Sequence, residues 1–276
     1  SRDHLDYHKS MKSYLKAKLI LFRENLKQNS KVICDKKIKK IIKGNDIKKK
    51  YNFILQSKNK NTLKLIGSKP QGSKTQIKLN YKNSIYNILV NFIGNFQIEN
   101  LFHAIMLAIS SGLKVEKILK ILPLLKPIKG RLNIFKNKNK IICLDYAHTP
   151  DGLEKTINTL KDHFKKRVNI VFGCGGNRDK GKRMKMGRIV NKLCKNIVVT
   201  DDNPRHEDAK KITKQIYNFI RRGQIINNRK KAINIAIKNT SSEEVLLVAG
   251  KGHENYQIIK DKKVYFSDQR EIIKNL

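Results

Sequence analysis

Four clusters of polar and charged residues each follow a short apolar run in the second half of the chain. They read DYAHTPD (145–151), GCGGNRDKGKR (173–183), DDNPRHED (201–208) and GKGHEN (250–255). Carboxylates and amides of such clusters can bind ammonium groups or metal ions, and arginine and lysine can bind carboxylates or phosphates. A single cluster of this kind is typical of a solvated turn. Four in equivalent positions predict a binding site built from several loops.

The elements that must position these clusters alternate regularly from about residue 130 onward. The apolar runs IICLD (141–145), NIVFG (169–173), NIVVT (196–200) and EVLLVAG (244–250) predict strands. The stretches 150–164, 182–194, 207–220 and 229–239 predict helices. Alternation of buried strands with helices indicates a mainly parallel sheet with right-handed crossovers. Ligands of such sheets lie beyond the carboxyl ends of the strands, and all four clusters stand at those ends.

The first 129 residues have a less regular pattern. We expect an amphipathic helix over residues 10–22 and a strand at 31–34, and the runs 51–56, 61–67 and 84–90 favour strands. Helices are predicted over 98–112 and 115–125. The corner PIKG (127–130) is the candidate boundary, so the prediction is an α/β protein with domains 1–129 and 130–276.

The chain is strongly basic: its 276 residues carry 61 Lys and Arg against 22 Asp and Glu, a formal net charge of +39. Such a charge would ordinarily indicate a nucleic-acid or membrane-surface partner. Here the lysines are interleaved with Ile and Asn throughout, Trp is absent, and aromatic residues do not alternate with the basic runs as a stacking platform requires. We therefore expect neither a nucleic-acid nor a membrane partner, and nucleic-acid binding remains the alternative from a different class.

Cysteine usage and the chain start bear on the compartment. The four cysteines form no CxxC pair, which favours a reducing compartment and no zinc site. No apolar run approaches the roughly 20 residues that a bilayer span needs, and SRDHLDYHKS lacks the features of a signal peptide. We expect a cytoplasmic protein. Because the chain does not begin with Met, we also expect an incomplete one.

Two segments approach the spacing of a triphosphate-binding loop without completing it. GNRDKGK (176–182) has the required spacing, but Arg183 stands where that loop needs a hydroxyl for Mg²⁺. GSKPQGSKT (67–75) has one residue too many and continues into a strand-like run. We expect neither segment to bind a triphosphate.

The ordered motifs SRDHLDYH, YLKAK, G94-N-F-x-I-x-N100, GRLNIF, LDYAHTPDGLE, VFGCGGNRDKGKR, VVTDDNPR and LVAGKGHE resemble the Mur ligase family. The resemblance is to its UDP-N-acetylmuramoyl-tripeptide synthetases, and it is weakest over residues 36–80. It implies the C-terminal part of a central ATPase domain followed by a whole Rossmann-like C-terminal domain. The N-terminal domain and the phosphate loop would precede Ser1, so this segment alone is not expected to catalyse the family's reaction.

The resemblance implies an ATP- and Mg²⁺-dependent ligase that forms an amide through an acyl phosphate. His4 matches a position that helps to hold Mg²⁺, and Lys18 matches the lysine that the family carbamylates into a metal ligand. Asn100 and Arg131 resemble contacts to adenine and the nucleotide phosphates. Asp145 and His148 are expected at the same nucleotide site. Asp145 stands at a strand end, where it can accept hydrogen bonds from ribose hydroxyls.

The cluster Asp202-Asn203-Pro204-Arg205 resembles the family signature for the incoming amino acid, in the form associated with meso-diaminopimelate. Its distal end carries an ammonium and a carboxylate. Arg205 and Arg178 are expected to bind the carboxylate, and Glu254 with the Gly250 carbonyl is expected to bind the ammonium.

The implied partners are therefore small molecules: the UDP-N-acetylmuramoyl dipeptide, meso-diaminopimelate and ATP, bound by a monomer. Departures from the family pattern, such as Asn177 in place of an Asp, concern the nucleotide side more than the amino-acid side. Two related alternatives remain, a ligase that adds L-lysine and a truncated or decayed relative.

Overall fold

The computed structural model describes residues 5–45, 47–54, 63–137 and 139–276. The chain divides between Lys126 and Pro127 into two compact units, the first of Tyr7–Lys126 and the second mainly of Pro127–Leu276. Each unit has hydrophobic clusters of its own. No helix within the described ranges is both long and apolar enough to cross a membrane.

The first unit begins with a small layer of helices beside a parallel strand pair. Helix α1 (Leu5–His8) runs into this unit, which then comprises α2 (Met11–Ile20), a π-helical turn (Leu21–Asn25), β1 (Lys31–Ile33), α3 (Lys36–Lys43) and β2 (Asn52–Ile54). Ser10 caps α2, and the Asp35 carboxylate caps α3 by accepting from the Ile38 amide. A lysine-rich segment forms α3. Its isoleucines recur at helical spacing, and Ile42 is buried against Leu19 and Val32.

The rest of the first unit packs two helices on an antiparallel sheet. It comprises β3 (Lys64–Gln71), β4 (Lys74–Tyr81), β5 (Ser84–Val90), α4 (Asn95–Ser110), α5 (Val115–Ile121) and a 3₁₀ turn (Leu122–Leu124). The core joins Ile77, Leu79 and Val90 of the sheet to Phe102 and Ile118 of the helices. The predicted strands and helices of this region are present.

The segment GSKPQGSKT lies in the β3–β4 hairpin. Gln71 pairs with Lys74, and Gly72 in the turn between them has φ +62°. Glycine adopts that conformation without steric cost. The segment thus connects two antiparallel strands, whereas a phosphate loop connects a strand to a helix.

The second unit is an α/β domain whose elements are β6 (Asn133–Asn137), β7 (Lys140–Asp145), α6 (Pro150–Phe164), β8 (Arg167–Phe172), α7 (Gly181–Leu193), β9 (Ile197–Val199), α8 (Ala209–Tyr217), β10 (Gln224–Ile225), α9 (Arg229–Lys238), β11 (Glu244–Ala249), β12 (Tyr256–Ile259), β13 (Lys262–Tyr265) and α10 (Asp268–Asn275). The six-stranded sheet has the order β10-β9-β8-β11-β7-β6. Only β6, at one edge of this sheet among the described strands, pairs antiparallel. The predicted mainly parallel α/β fold is confirmed.

Helices cover both faces of this sheet. Every residue of β11 is buried, as expected for a central parallel strand. Buried residues of α9 and α10 pack with Ile142, Leu144 and Leu246 on one face. Helix α6 packs on β8 and β11, and α7 lies between α6 and α8. The sheet is thus a rigid platform for the loops that follow its strands.

Candidate ligand-binding site

Four neighbouring strands, in the order β9-β8-β11-β7, direct their carboxyl ends to the same edge of the sheet. The loops that follow them enclose a cavity of about 160 Å³. All four sequence clusters contribute to it. The cavity is lined by Tyr146, His148, Gly173, Cys174, Gly175, Arg178, Asp179, Lys182, Asp202, Asn203, Arg205, Gly250 and Glu254.

Arg205 is a half-buried cation of this cavity. Its Nη1 donates to the backbone carbonyls of Gly176, at 3.0 Å, and Asn203, at 3.3 Å. Nε and Nη2 have no hydrogen-bond partner within the part of the chain that the structure describes. Backbone contacts on one side therefore orient the guanidinium, and donors remain on the other for a planar anion such as a carboxylate.

A partly buried ion pair joins the two loops that carry Arg178 and Arg205. Arg183 of α7 is 2% exposed, and its Nη1 and Nη2 donate to the two carboxylate oxygens of Glu207 at 2.9 and 3.0 Å. Glu207 also accepts from the Asn177 amide, and the hydrogen bond from Arg183 lowers the pKa of Glu207 below its usual range. This pairing explains why position 183 is an arginine instead of the hydroxyl residue of a phosphate loop.

The same two loops touch through their backbones at Gly176. A Cβ built on Gly176 would lie 1.9 Å from the Pro204 carbonyl oxygen, so no larger residue fits without moving the loop. Asn177 follows with φ +51°, a conformation that Asn tolerates better than most residues. Its side-chain oxygen accepts from the His206 amide at 3.1 Å. The loops after β8 and β9 therefore form one unit.

Glu254 is the carboxylate that the loop after β11 contributes. Its Oε2 accepts from Lys251 Nζ and from Asn203 Nδ2, both at 3.0 Å. The Tyr146 hydroxyl lies 3.5 Å from Oε1. Gly250, with φ +112°, brings its backbone close to Asp202, since a Cβ there would lie 2.7 Å from Asp202 Oδ2. Acidic oxygens from two loops thus meet at this end of the cavity.

Aromatic rings and further cations border the loop after β7. His148 Nδ1 lies 2.8 Å from the Tyr146 carbonyl, and the two rings meet edge to face at 4.6 Å. The Arg131 guanidinium lies 4.6 Å from the centroid of the Tyr146 ring. Lys182 Nζ donates to the His148 carbonyl at 3.2 Å.

Asp145 lies beneath this loop and is buried. Its oxygens accept from the Leu132 and Ala147 amides, at 2.9 and 2.8 Å, and from the Thr156 hydroxyl at 3.2 Å. Burial raises the pKa of Asp145, and these donors oppose the shift. Here Asp145 holds β7, α6 and the residue before β6 together. Its predicted contact to a ribose stays a prediction.

Lys18 and Asn100, which were predicted to contact metal and adenine, are described in the first unit and do not line this cavity. Lys18 lies in the last turn of α2, exposed, with its Nζ 5.4 Å from the Tyr14 ring centroid. Asn100 is exposed on α4, and His4 lies outside the described residues.

Within the described ranges, no group of three or more His, Cys, Asp or Glu residues could hold a metal ion. The side chains of the described residues therefore do not by themselves provide a ligand set for Mg²⁺. Lys18 and His4 remain predicted ligands.

The structure thus brings together the residues predicted for the amino-acid end of a substrate, which are Arg178, Asp202, Asn203, Arg205, Gly250 and Glu254, and adds His148 to them. Pro204 shapes the loop without lining the cavity. Arg131 reaches the edge of the site through Tyr146. No role was predicted for Tyr146, Lys182 or Lys251, although all three belong to the four quoted clusters. Their position after strand ends was the signal that could have identified them.

An α/β domain with paired cationic and anionic side chains at its strand ends defines a protein that binds a zwitterionic or phosphorylated small molecule. Two family models specify the class. The one described as the Mur ligase middle domain matches residues 1–108, and the one described as the Mur ligase glutamate ligase domain matches residues 130–252. The chain belongs to the Mur ligase family.

Similar proteins are diaminopimelate ligases by name. The chain is 41% identical over 273 residues to UDP-N-acetylmuramoyl-L-alanyl-D-glutamate–2,6-diaminopimelate ligase of Rickettsia conorii, covering 97% of this chain and 57% of the relative. It is 38% identical over 280 residues to a ligase of the same name, numbered 1, from Clostridium acetobutylicum, covering 99% and 57%. A solved structure of a ligase of that name matches with TM-score 0.62 and 28% identity, over 100% of this chain and 58% of that one. The chain thus spans little more than half the length of these relatives.

Proposed function

We propose that the protein carrying this chain is an ATP-dependent acid–amino-acid ligase that adds meso-diaminopimelate to UDP-N-acetylmuramoyl-L-alanyl-D-glutamate in peptidoglycan precursor synthesis. The observation that carries the proposal is the Arg205 guanidinium. It is oriented by two backbone carbonyls and keeps free donors in a cavity that also contains Glu254. A forked cation and a carboxylate in one small cavity suit the carboxylate and ammonium of the distal end of diaminopimelate.

In the proposed reaction the terminal phosphoryl group of ATP passes to a substrate carboxylate, which gives an acyl phosphate and ADP. The amino group of diaminopimelate attacks the acyl carbon, and the tetrahedral intermediate expels phosphate as the amide forms. The side chains of this cavity bind and orient the amino acid, so that its reacting amine is held close to the acyl carbon.

The cavity also accounts for discrimination against lysine. L-Lysine has a distal ammonium but no distal carboxylate, so it would leave Arg205 half-buried without its anion. A site whose polar groups are left unpaired rejects an analogue strongly, by factors on the order of 10⁴ in favourable cases. Diaminopimelate is therefore the preferred third residue.

Family membership supports ATP and Mg²⁺ as cofactors. Asn100, Arg131, Asp145 and His148 are the proposed nucleotide contacts, and His4 and carbamylated Lys18 are the proposed metal ligands. Sugar-nucleotide and ATP substrates favour a cytoplasmic location, and we propose a monomer.

ADP release tests the proposal. The product of the complete reading frame is supplied with ATP, Mg²⁺ and UDP-N-acetylmuramoyl-L-alanyl-D-glutamate, and with either meso-diaminopimelate or L-lysine. Release with diaminopimelate alone is the expected result. Release with lysine alone would support a ligase but refute diaminopimelate as its substrate. No release from a folded protein would favour a decayed relative.

A further inference from the structure

Lys251 is a buried cation beside the cavity to which the proposed reaction gives no role. Its side chain is 0% exposed, and its Nζ lies 3.0 Å from Glu254 Oε2 and 3.0 Å from Asn203 Oδ1. The Tyr256 ring centroid is 5.7 Å from the same nitrogen. Lysines are almost never fully buried unless they are paired, so this side chain marks a built arrangement.

The arrangement is a triangle of side chains from two loops. Asn203 Nδ2 donates to the Glu254 Oε2 that Lys251 also contacts, and Asn203 Oδ1 accepts from both Lys251 and the Ile258 amide. Two donors therefore hold Oε2. The other oxygen, Oε1, accepts from the Tyr146 hydroxyl at 3.5 Å, its one partner among the described residues, and a carboxylate oxygen has a second lone pair for a ligand. Lys251 thus determines which oxygen of Glu254 serves the cavity.

Lys251 also changes the charge that a ligand meets. The cavity lining itself carries three cations, Arg178, Lys182 and Arg205, and three anions, Asp179, Asp202 and Glu254. Lys251 lies directly behind Glu254 and offsets its charge. A ligand end that brings only an ammonium therefore gains little from Glu254, whereas one that also brings a carboxylate gains from Arg205.

We infer that Lys251 is a positioning and specificity-determining residue, which orients Glu254 and offsets its charge so that the cavity selects an ammonium-plus-carboxylate end over an ammonium alone. This inference rests on the proposed function. Lys251 acts through Glu254 and does not touch the substrate.

The first test is Lys251→Met in the product of the complete reading frame. The KM for meso-diaminopimelate rises about tenfold, and selectivity for it over L-lysine, as the ratio of kcat/KM values, falls by about the same factor. The KM for ATP stays within about twofold, since Lys251 serves only the amino-acid end. A merely structural role would lower all activities together and leave the selectivity ratio in place.

Lys195→Met is the matched control. Lys195 Nζ lies 2.6 Å from Glu244 Oε1, a lysine–glutamate pair at the opposite, amino-terminal edge of the same sheet. Its loss lowers the melting temperature and leaves both the KM for diaminopimelate and the selectivity ratio unchanged.

A double substitution keeps the inference testable if Lys251→Met does not fold. Lys251→Met with Glu254→Gln leaves no buried charge unpaired. Because Lys251 acts through Glu254, the double variant has the same KM and selectivity as Glu254→Gln alone, within about twofold. A further loss of affinity or selectivity in the double variant would overturn the inference about Lys251 without affecting the proposed function. An unchanged KM and selectivity ratio in Lys251→Met would do the same. Failure of the unmodified protein to use diaminopimelate instead overturns the proposed function and, with it, this inference.

Discussion

Arg205 is the side chain of the cavity whose chemical type bears most directly on the proposed substrate. Its left-handed backbone, with φ +53°, and its two carbonyl contacts place the guanidinium in the cavity. Lysine at this position would keep the charge but not the planar fork that a carboxylate fits. The difference between a fork and a point charge can therefore be measured at one position.

Arg205→Lys lowers kcat/KM for meso-diaminopimelate about 100-fold, because the bidentate contact and the orienting carbonyl contacts are lost together. Steady-state ADP release measures the change, and the KM for ATP serves as the internal reference. Arg188→Lys, an exposed arginine of α7 over the Phe219 ring, is the matched control and keeps full activity. Wild-type efficiency in Arg205→Lys would remove Arg205 from the site.

Glu244 makes the free energy of unfolding depend on pH in the acid range. Burial acts to raise its pKa, but hydrogen bonds from Lys195, the Ser241 amide and Asn169 outweigh burial and lower the pKa from 4.5 to about 2. Since the folded state has the lower pKa, the stabilisation is complete above pH 4.5 and is lost as the pH falls toward 2.

Glu244→Gln therefore removes about 2–3 kcal/mol of stability at pH 7, and the difference from the unmodified protein narrows as the pH falls through that window. Urea unfolding at a series of pH values measures it. Glu243→Gln, at the exposed neighbouring position, controls for the general titration of acids and leaves the profile unchanged. A pH-independent difference for Glu244→Gln would contradict the assignment.

Among the elements, α9 and α10 are joined to the strand ends by a fully buried ion pair. Arg229, the first residue of α9, donates to both carboxylate oxygens of Asp268 at 2.7 Å, and both side chains are 0% exposed. Arg229 also donates to the carbonyls of Ala249, at the end of β11, and Asp201, after β9. One guanidinium thus ties two helices to two of the strand ends that carry the site.

Asp268→Ala leaves that guanidinium buried without its anion and lowers the free energy of unfolding by about 3–5 kcal/mol. Adding Arg229→Met recovers much of the loss, because no unpaired charge then remains buried. Urea unfolding measures both variants. Asp151→Ala, which breaks the exposed i,i+4 pair with Lys155, is the control and costs less than about 1 kcal/mol. A similarly small effect for Asp268→Ala would refute the role of the pair.

The elements also separate what a sequence pattern predicts from what it does not. Strands β7, β8, β9 and β11 and helices α6 to α9 were predicted, because apolar runs and helical periods are strong where an element is buried. The edge strands β6, β10, β12 and β13 and helix α10 were not. These elements are short and each buries few residues, so they leave only a weak apolar pattern in the sequence, and they exist because neighbouring elements pair with them or cover them.

At the scale of the whole molecule, the chain consists of two units with separate hydrophobic clusters. The second unit has a six-stranded sheet with helices on both faces, which is the organisation of an independent domain. The predicted domain boundary at residues 129/130 lies beside the division between Lys126 and Pro127. It can be tested by dividing the chain.

A fragment of residues 127–276 is expected to fold by itself, because the hydrophobic cluster around its sheet is formed by residues 135–276. Thermal unfolding followed by circular dichroism shows one cooperative transition, and amide exchange protects β7, β8 and β11. A fragment of 141–276, which lacks β6 and part of β7, is the control and is less stable. A 127–276 fragment without a cooperative transition would place the domain boundary elsewhere.

The sequence by itself determined the type of fold and the four clusters, because buried parallel strands require apolar runs and their polar continuations must lie at one edge. Only the tertiary structure decided which side chains share the cavity and what each one contacts. Arg183 pairs with Glu207, Asp145 is buried among local donors, and Lys251 lies behind Glu254. The first two partners are 24 and 13 positions apart in the chain, and Asn203, which holds Lys251 behind Glu254, is 48 positions from Lys251. Nothing in a local pattern encodes such pairings, since they arise when separate loops pack against each other and the buried charges must find partners.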